Sequence, residues 1–232
     1  MNVYLTGDTH GRFERITCFC RDNHTTLGDV LIILGDAGVN YYLDHRDEKL
    51  KRYIDTMPVT LLCIHGNHEA RPTAALGYEE AERFGARVMV QPEHPNLLFA
   101  LDGEVYELAG RSCIAIGGAY SIDKEYRLLR GAAWWPDEQP SAGIKRRVER
   151  ALASRGWQVD VVLSHTTPLS YEPTEAFLPF IDQSSVDTRT ERWLDEIEHR
   201  LDYDRWYAGH FHTTKTVDKL RLMYQDYARL GE

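Results

Sequence analysis

Three times in its first third the chain runs a short apolar stretch into a glycine-marked turn that carries acid, imidazole or amide side chains. Residues 2–6 lead into Gly7-Asp8-Thr9-His10-Gly11, residues 29–34 into Gly35-Asp36-Ala37-Gly38, and residues 59–64 into His65-Gly66-Asn67-His68-Glu69. A stretch apolar at consecutive positions reads as a strand covered on both faces, because a half-exposed strand would alternate. The turns recur at roughly 30-residue intervals, the length of a strand-helix-strand unit. Parallel strands joined in that way bring all three turns to one edge of a sheet, where α/β folds place their sites.

The connections at 12–25 and 41–57 are helix-compatible. Residues 96–101, 104–108 and 111–116 are short apolar runs separated by Asp-Gly and Ala-Gly turns, which predicts antiparallel strands and a second sheet. A long loop is expected over 119–143 and a helix over 142–155. A strand at 160–163 ends in Ser164-His165, and another at 205–208 ends in Gly209-His210-Phe211-His212. Between them, 171–190 is irregular, with Tyr171, Phe177 and Phe180 as candidate packing residues first and substrate contacts second, and a helix follows from about Thr190 to Arg200. One or two further strands are expected near the end. No linker or low-complexity tract divides the chain, so one domain over residues 1–232 is expected, with 117–143 and 170–190 as candidate substrate-shaping loops.

The formal net charge is -9, and the basic residues are scattered. Binding a long nucleic acid rests on many basic contacts to phosphates, so the balance argues against such a partner while leaving room for a small phosphorylated ligand. The cysteines, Cys18, Cys20, Cys63 and Cys113, lack Cys-x-x-Cys spacing and are expected as buried or half-buried thiols. With no apolar run long enough to span a bilayer and no signal peptide ahead of the first strand, a cytoplasmic protein with no membrane partner is expected. Oligomeric state has no signature.

The strand-end residues Asp8, His10, Asp36, Asn67, His68, His165, His210 and His212 are oxygen and imidazole donors with no thiolate among them. That mixture suits two divalent first-row cations, manganese(II) first, with iron, zinc, nickel or cobalt as alternatives. Asp8 and His10 are two apart and point to the same side of an extended segment, as do His210 and His212. Asp36, flanked by glycines, is placed as the shared carboxylate: Asp8, His10, Asp36 and His212 around one cation, Asp36, Asn67, His165 and His210 around the other. Such a pair lowers the pKa of a shared water to yield hydroxide for in-line attack on a phosphate ester. His68 is placed to assist the leaving oxygen, and Glu69 to orient His68 or a group supporting the ligands. Any one of these residues alone would more often be a helix cap or a hydrogen-bonded core residue. Five strand ends carrying them together favour the metal, because unpaired polar groups are costly to bury.

The five segments around Asp8, Asp36, Asn67, His165 and His210 resemble the signature blocks of the calcineurin-like metallophosphoesterases, in order, from residue 2 to residue 212, as in a small bacterial or phage-type member. The resemblance implies an α/β four-layer αββα sandwich, two facing mixed sheets flanked by helices, with the metal site at the strand C-terminal ends. It implies the same metal ligands, with His68 near the leaving group, and hydrolysis of phosphomonoesters or phosphodiesters. A protein serine/threonine phosphatase or a dinucleoside polyphosphate hydrolase is the alternative, acting on a phosphoprotein or a nucleotide. Both usually follow the bridging aspartate with a segment ending Asp-Arg-Gly, whereas this chain continues Ala-Gly-Val-Asn40-Tyr41, without that phosphate-binding arginine. Arg127 or Arg130 could replace it, and Trp134 and Trp135 could stack on a base or aromatic leaving group, or else anchor the loop. A catalytically silent binding or scaffolding module with the same fold is the reading of different class.

Overall fold

The computed structural model describes residues 1–179 and 181–231, so Phe180 lies outside the described residues. The first three apolar runs form β1 (Val3–Thr6), β2 (Val30–Ile33) and β3 (Thr60–Cys63), paired parallel and in sequence order. They are joined through α1 (Glu14–Asn23) and α2 (His45–Ile54). Helix α1 buries Ile16, Phe19 and Cys20, the three-and-four spacing of one helical face. Helix α2 starts at Asp44, whose side chain accepts from the Arg46 backbone N–H and satisfies one of the orphan donors of the first turn.

The strand over 96–101 is a correction to the sequence reading. It forms β6 (Leu97–Ala100), which pairs parallel with β3 inside the first sheet and does not join the second. All four of its residues are buried, the mark of an interior strand. A hairpin that the apolar pattern does not reveal, β4 (Glu79–Arg83) and β5 (Ala86–Val90), continues the sheet antiparallel. β4 reads Glu-Glu-Ala-Glu-Arg, a charged edge strand of the kind that discourages pairing with other chains.

The second sheet starts with the hairpin β7 (Val105–Leu108) and β8 (Arg111–Ile116), as expected. Within 117–143 the chain makes a short helix, α3 (Lys124–Arg130), and then enters α4 (Ala142–Ser154), whose N-cap Ser141 accepts from Ile144 N. β9 (Val161–Ser164) and β10 (Arg205–Ala208) run parallel to β8, with 3-10 turns and α5 (Arg189–Glu198) between them. Three closing strands, more than expected, are β11 (Lys215–Val217), β12 (Leu220–Leu222) and β13 (Tyr227–Arg229). β12 pairs with β10, while β13 returns to pair antiparallel with β1 in the first sheet.

Among the described residues this gives two mixed sheets, of seven strands ordered β13-β1-β2-β3-β6-β5-β4 and six ordered β11-β12-β10-β9-β8-β7. Alternation sorts their side chains into layers. Leu5, Ile32 and Leu62 meet Ala115, Leu163 and Tyr207 between the sheets. Leu31, Ile33 and Leu61 point the other way, onto Ile16, Phe19 and Ile54 of the first two helices. Ile114, Val162 and Trp206 pack on Val148, Leu152, Trp193 and Ile197 of α4 and α5. The result is the expected αββα sandwich. No described helix is long and apolar enough to cross a membrane. Cys18 is exposed, contrary to expectation, and the other three cysteines are buried; all four are free.

Candidate metal centre

The C-terminal ends of β1, β2 and β3 in one sheet and of β9 and β10 in the other deliver their side chains to a common place. Asp8 Oδ2 lies 3.2 Å from His212 Nε2 and 3.7 Å from His10 Nε2. Asp36 faces both ways, with Oδ2 3.9 Å from His10 Nε2 and Oδ1 3.7 Å from His165 Nε2. Asn67 Oδ1 is 2.7 Å from His165 Nε2 and 3.1 Å from His210 Nδ1. Among the described residues two groups of donor atoms are tight enough to hold a metal ion: Asp8, His10 and His212, and Asp8, Asp36 and His165. Asp8 is thus common to both groups, while Asp36 spans them through its two oxygens.

The backbone is bent to achieve this. His10, Asp36, His210 and His212 have φ values of 47°, 50°, 67° and 49°, in the left-handed region that residues with a Cβ rarely enter. Such strain persists only where surrounding contacts enforce it. Here they do: Asp36 O accepts from His10 N at 2.8 Å, Asp8 Oδ1 from His210 N at 2.9 Å, and Asp36 Oδ1 from His68 N at 2.8 Å. Glycine is required at two contact points. A Cβ on Gly66 would collide with the Asp36 side chain, and one on Gly209 with the Asp8 carboxylate. Glu69 supports the turns by accepting from Gly66 N at 3.1 Å and Gly38 N at 3.0 Å, rather than by orienting His68.

The donor set fits divalent cations on three counts. Asp8 Oδ2 is a buried oxygen without a well-aligned hydrogen-bond donor. His165 Nδ1 contacts the Leu34 carbonyl at 2.8 Å, which can only accept, so Nδ1 carries a proton and the ring is fixed with Nε2 aimed at Asn67 Oδ1. Asn67 Oδ1 is itself an acceptor, because its Nδ2 donates to Ser121 Oγ at 2.8 Å. Finally, burial and the charge of Asp8 push the Asp36 carboxyl well above its ordinary range. Burial would also raise Asp8, but the contact with His212 and the surrounding imidazoles hold it below that range. Positive charge from cations would let both carboxylates ionise.

Burial lowers His10 and His210, which face the cradle, against the raising charge of Asp8 and with the help of the neighbouring imidazoles. His10 falls to about 4 and His210 well below its ordinary value, while the bond to Asp8 raises His212. His68 stands at the cavity side, pushed down to about 3 by burial, then by Arg127 and His10; its Nε2 lies 3.8 Å from Asp123 Oδ1.

The four other candidates are placed differently. Arg127 is buried behind the cavity: Nε donates to Ala133 O at 2.8 Å and Nη1 to Ser121 Oγ at 3.2 Å, and Nη2 has no partner. Trp134 Nε1 donates to Glu138 Oε2 at 2.7 Å, and the Trp135 ring lies 5.9 Å from that of Tyr41. Arg130 is exposed, over the Tyr126 ring at 5.5 Å. None of the four lines the cavity of about 600 Å³ that opens over His10, Asp36, Asn67, His68, His210 and His212. Its opposite wall comes from Tyr120, Ile122 and Asp123 of the first candidate loop and from Glu172, Phe177 and Leu178 of the second. Asn40 is structural, accepting from Tyr78 Oη at 2.9 Å.

A sequence model described as calcineurin-like phosphoesterase matches residues 1–214. The chain belongs to that family. Its reaction is metal-dependent hydrolysis of phosphoesters, and the donor cluster above lies where the fold puts the strand ends. Solved structures share the fold. The phosphopantetheinyl hydrolase PptH of Mycobacterium tuberculosis is 16% identical, with a TM-score of 0.50 over 96% of this chain and 88% of its own. TT1561 of Thermus thermophilus is 11% identical, with a TM-score of 0.53 over 96% of this chain and 89% of its own. No curated protein sequence matches.

Sequence reasoning missed Ser121 and Glu138, which hold Asn67, and Glu191, which lines the cavity. For Glu191 a signal was available. It stands three residues before Leu194 in a helix whose apolar residues are buried, so helical spacing puts it on the inward face.

Proposed function

We propose that the chain hydrolyses small phosphate esters with two divalent cations, manganese(II) being the first to test. Asp8, His10, Asp36 and His212 would hold one, and Asp36, Asn67, His165 and His210 the other. The observation that carries this reading is the convergence of donor atoms from separate strand ends, Asp8 with His10 and His212 and Asp8 with Asp36 and His165, each group tight enough for one ion, with Asn67 Oδ1 2.7 Å from His165 Nε2. When bound, such a pair polarises water and the phosphoryl oxygens. The chain's own residues do the rest. The strained turns aim the donors before substrate arrives, which avoids reorganisation during the reaction. His68, fixed through its backbone N–H to Asp36, presents a neutral ring to the cavity and donates its one N–H to the leaving oxygen. Arg127, through its charge on Asp36 and His68, favours the anion from behind the wall.

A 600 Å³ cavity suits a small ester and not a long polyanion. The segments 117–143 and 170–190 would shape what enters. Free thiols fit a reducing compartment, and the cytoplasm is the setting we assign. Hydrolysis of p-nitrophenyl phosphate and bis-p-nitrophenyl phosphate with added manganese(II) tests the reading, alongside metal analysis of the same preparation. Turnover that chelation abolishes is expected, and the ratio of the two rates ranks monoester against diester. Bound metal with no turnover of either ester would leave a binding module in place of an enzyme.

A further inference from the structure

Away from the metal cradle the cavity is apolar and acidic. Ile122, Phe177, Leu178, Val186 and Phe211 supply the apolar surface, with the Phe177 and Phe211 rings stacked at 6.1 Å and 18°. Asp123, Glu172, Asp187 and Glu191 supply carboxyl groups, and no described lining residue is a lysine or arginine. Asp187 is already paired, with Arg189 Nη2 at 2.6 Å.

Glu191 is different. It is only 4% exposed, its Oε1 accepts from Thr166 Oγ1 at 2.8 Å, and its Oε2 is buried without any partner. An unpaired carboxyl oxygen at a cavity wall is costly unless a ligand brings it a donor. Glu172 and Asp187 add to the negative potential felt at Glu191, so a cationic donor gains most and a second anionic group is repelled.

We propose that this half of the cavity receives the alcohol portion of the ester, an apolar body carrying an amine whose N–H groups are accepted by Glu191. This rests on the phosphoesterase reading and narrows it: esters of amino alcohols are favoured, and substrates with a second phosphate or a carboxylate are disfavoured. The aromatic faces of Phe177 and Phe211 accommodate the same cation and its hydrocarbon.

Two aryl phosphates of matched shape, 4-(aminomethyl)phenyl phosphate and 4-(carboxymethyl)phenyl phosphate, provide the test on manganese-loaded protein, with phenyl phosphate as reference. The amine ester is expected to exceed the carboxylate ester in kcat/KM by about a hundredfold, and Glu191→Gln to shrink that ratio about tenfold, the effect of one charge-assisted hydrogen bond. Equal rates on all three would overturn the amine preference while leaving the phosphoesterase reading intact. Turnover of none would overturn the phosphoesterase reading. The preference then stands or falls on calorimetric titration of the same metal-loaded protein with 4-(aminomethyl)phenol. Binding about tenfold weaker in Glu191→Gln supports the amine site, and affinity unchanged by the substitution overturns it.

Discussion

The two walls of the cavity are built by opposite means. At the strand ends three of the functional side chains are locked by a neighbour's backbone: Asp8 by His210 N, Asp36 by His68 N, His165 by Leu34 O. The bonds of Asp8 and His165 join turns from both sheets, so moving either donor means breaking a contact between layers. The opposite wall comes largely from two loops, the second broken by short 3-10 turns, and its Leu178 and Gln183 are exposed. Part of what holds it is local, such as the Asp182 carboxylate accepting from Ser184 N at 3.0 Å, and part is side-chain contact, such as Gln139 Nε2 donating to Asp187 at 3.1 Å. Chemistry needs fixed geometry, whereas selectivity requires only shape and charge; the fold gives rigid backbone to the first and loop to the second.

Asp36→Asn removes the charge that spans the cradle and gives the largest effect. Metal analysis should show lost cation, with turnover of p-nitrophenyl phosphate down on the order of 10³-fold. Near-normal turnover would break the contrast at its rigid end.

Next comes Glu191, read through stability against pH. Burial pushes its carboxyl up to about 7, whereas the unfolded chain releases that proton near the ordinary value of 4.5. The folded form therefore holds the extra proton between those values, and stability falls as pH rises from 4.5 through 7. Glu191→Gln cannot ionise, so denaturant titrations should show the variant gaining on the parent by roughly 3 kcal/mol by pH 8, relative to pH 4. A pH-independent difference would remove Glu191 from the buried wall.

His68→Ala should lower turnover about 10²-fold with metal content unchanged, because the ring reaches the site from the cavity side. Equal losses of metal and rate would move His68 into the cradle. The smallest effect on stability belongs to the loop wall. Phe177→Ala should shift it by less than about 1 kcal/mol while raising KM for aryl phosphates, measured by thermal melts and steady-state kinetics. A larger loss of stability would show the loop to be part of the core.

Much of this was legible in advance. Consecutive apolar runs at 30–33 and 60–63 announced buried parallel strands, because covered faces leave no polar position along the strand. Asp8, His10, Asp36, Asn67, His165, His210 and His212 stood out because each follows such a strand directly. β4 was not legible, since an edge strand needs no apolar residue, nor was the membership of β6 in the first sheet, since strand partners are chosen across long separations.

The order of buried strands and the types of donor at their ends are local properties, so the amino-acid sequence alone determined them. Which oxygen of Asp36 faces which imidazole, the burial of Arg127 behind the wall and the empty-handed oxygen of Glu191 were decided only by tertiary structure. They depend on how two sheets and a distant helix approach in space, and close packing sets those distances with no trace in residue order.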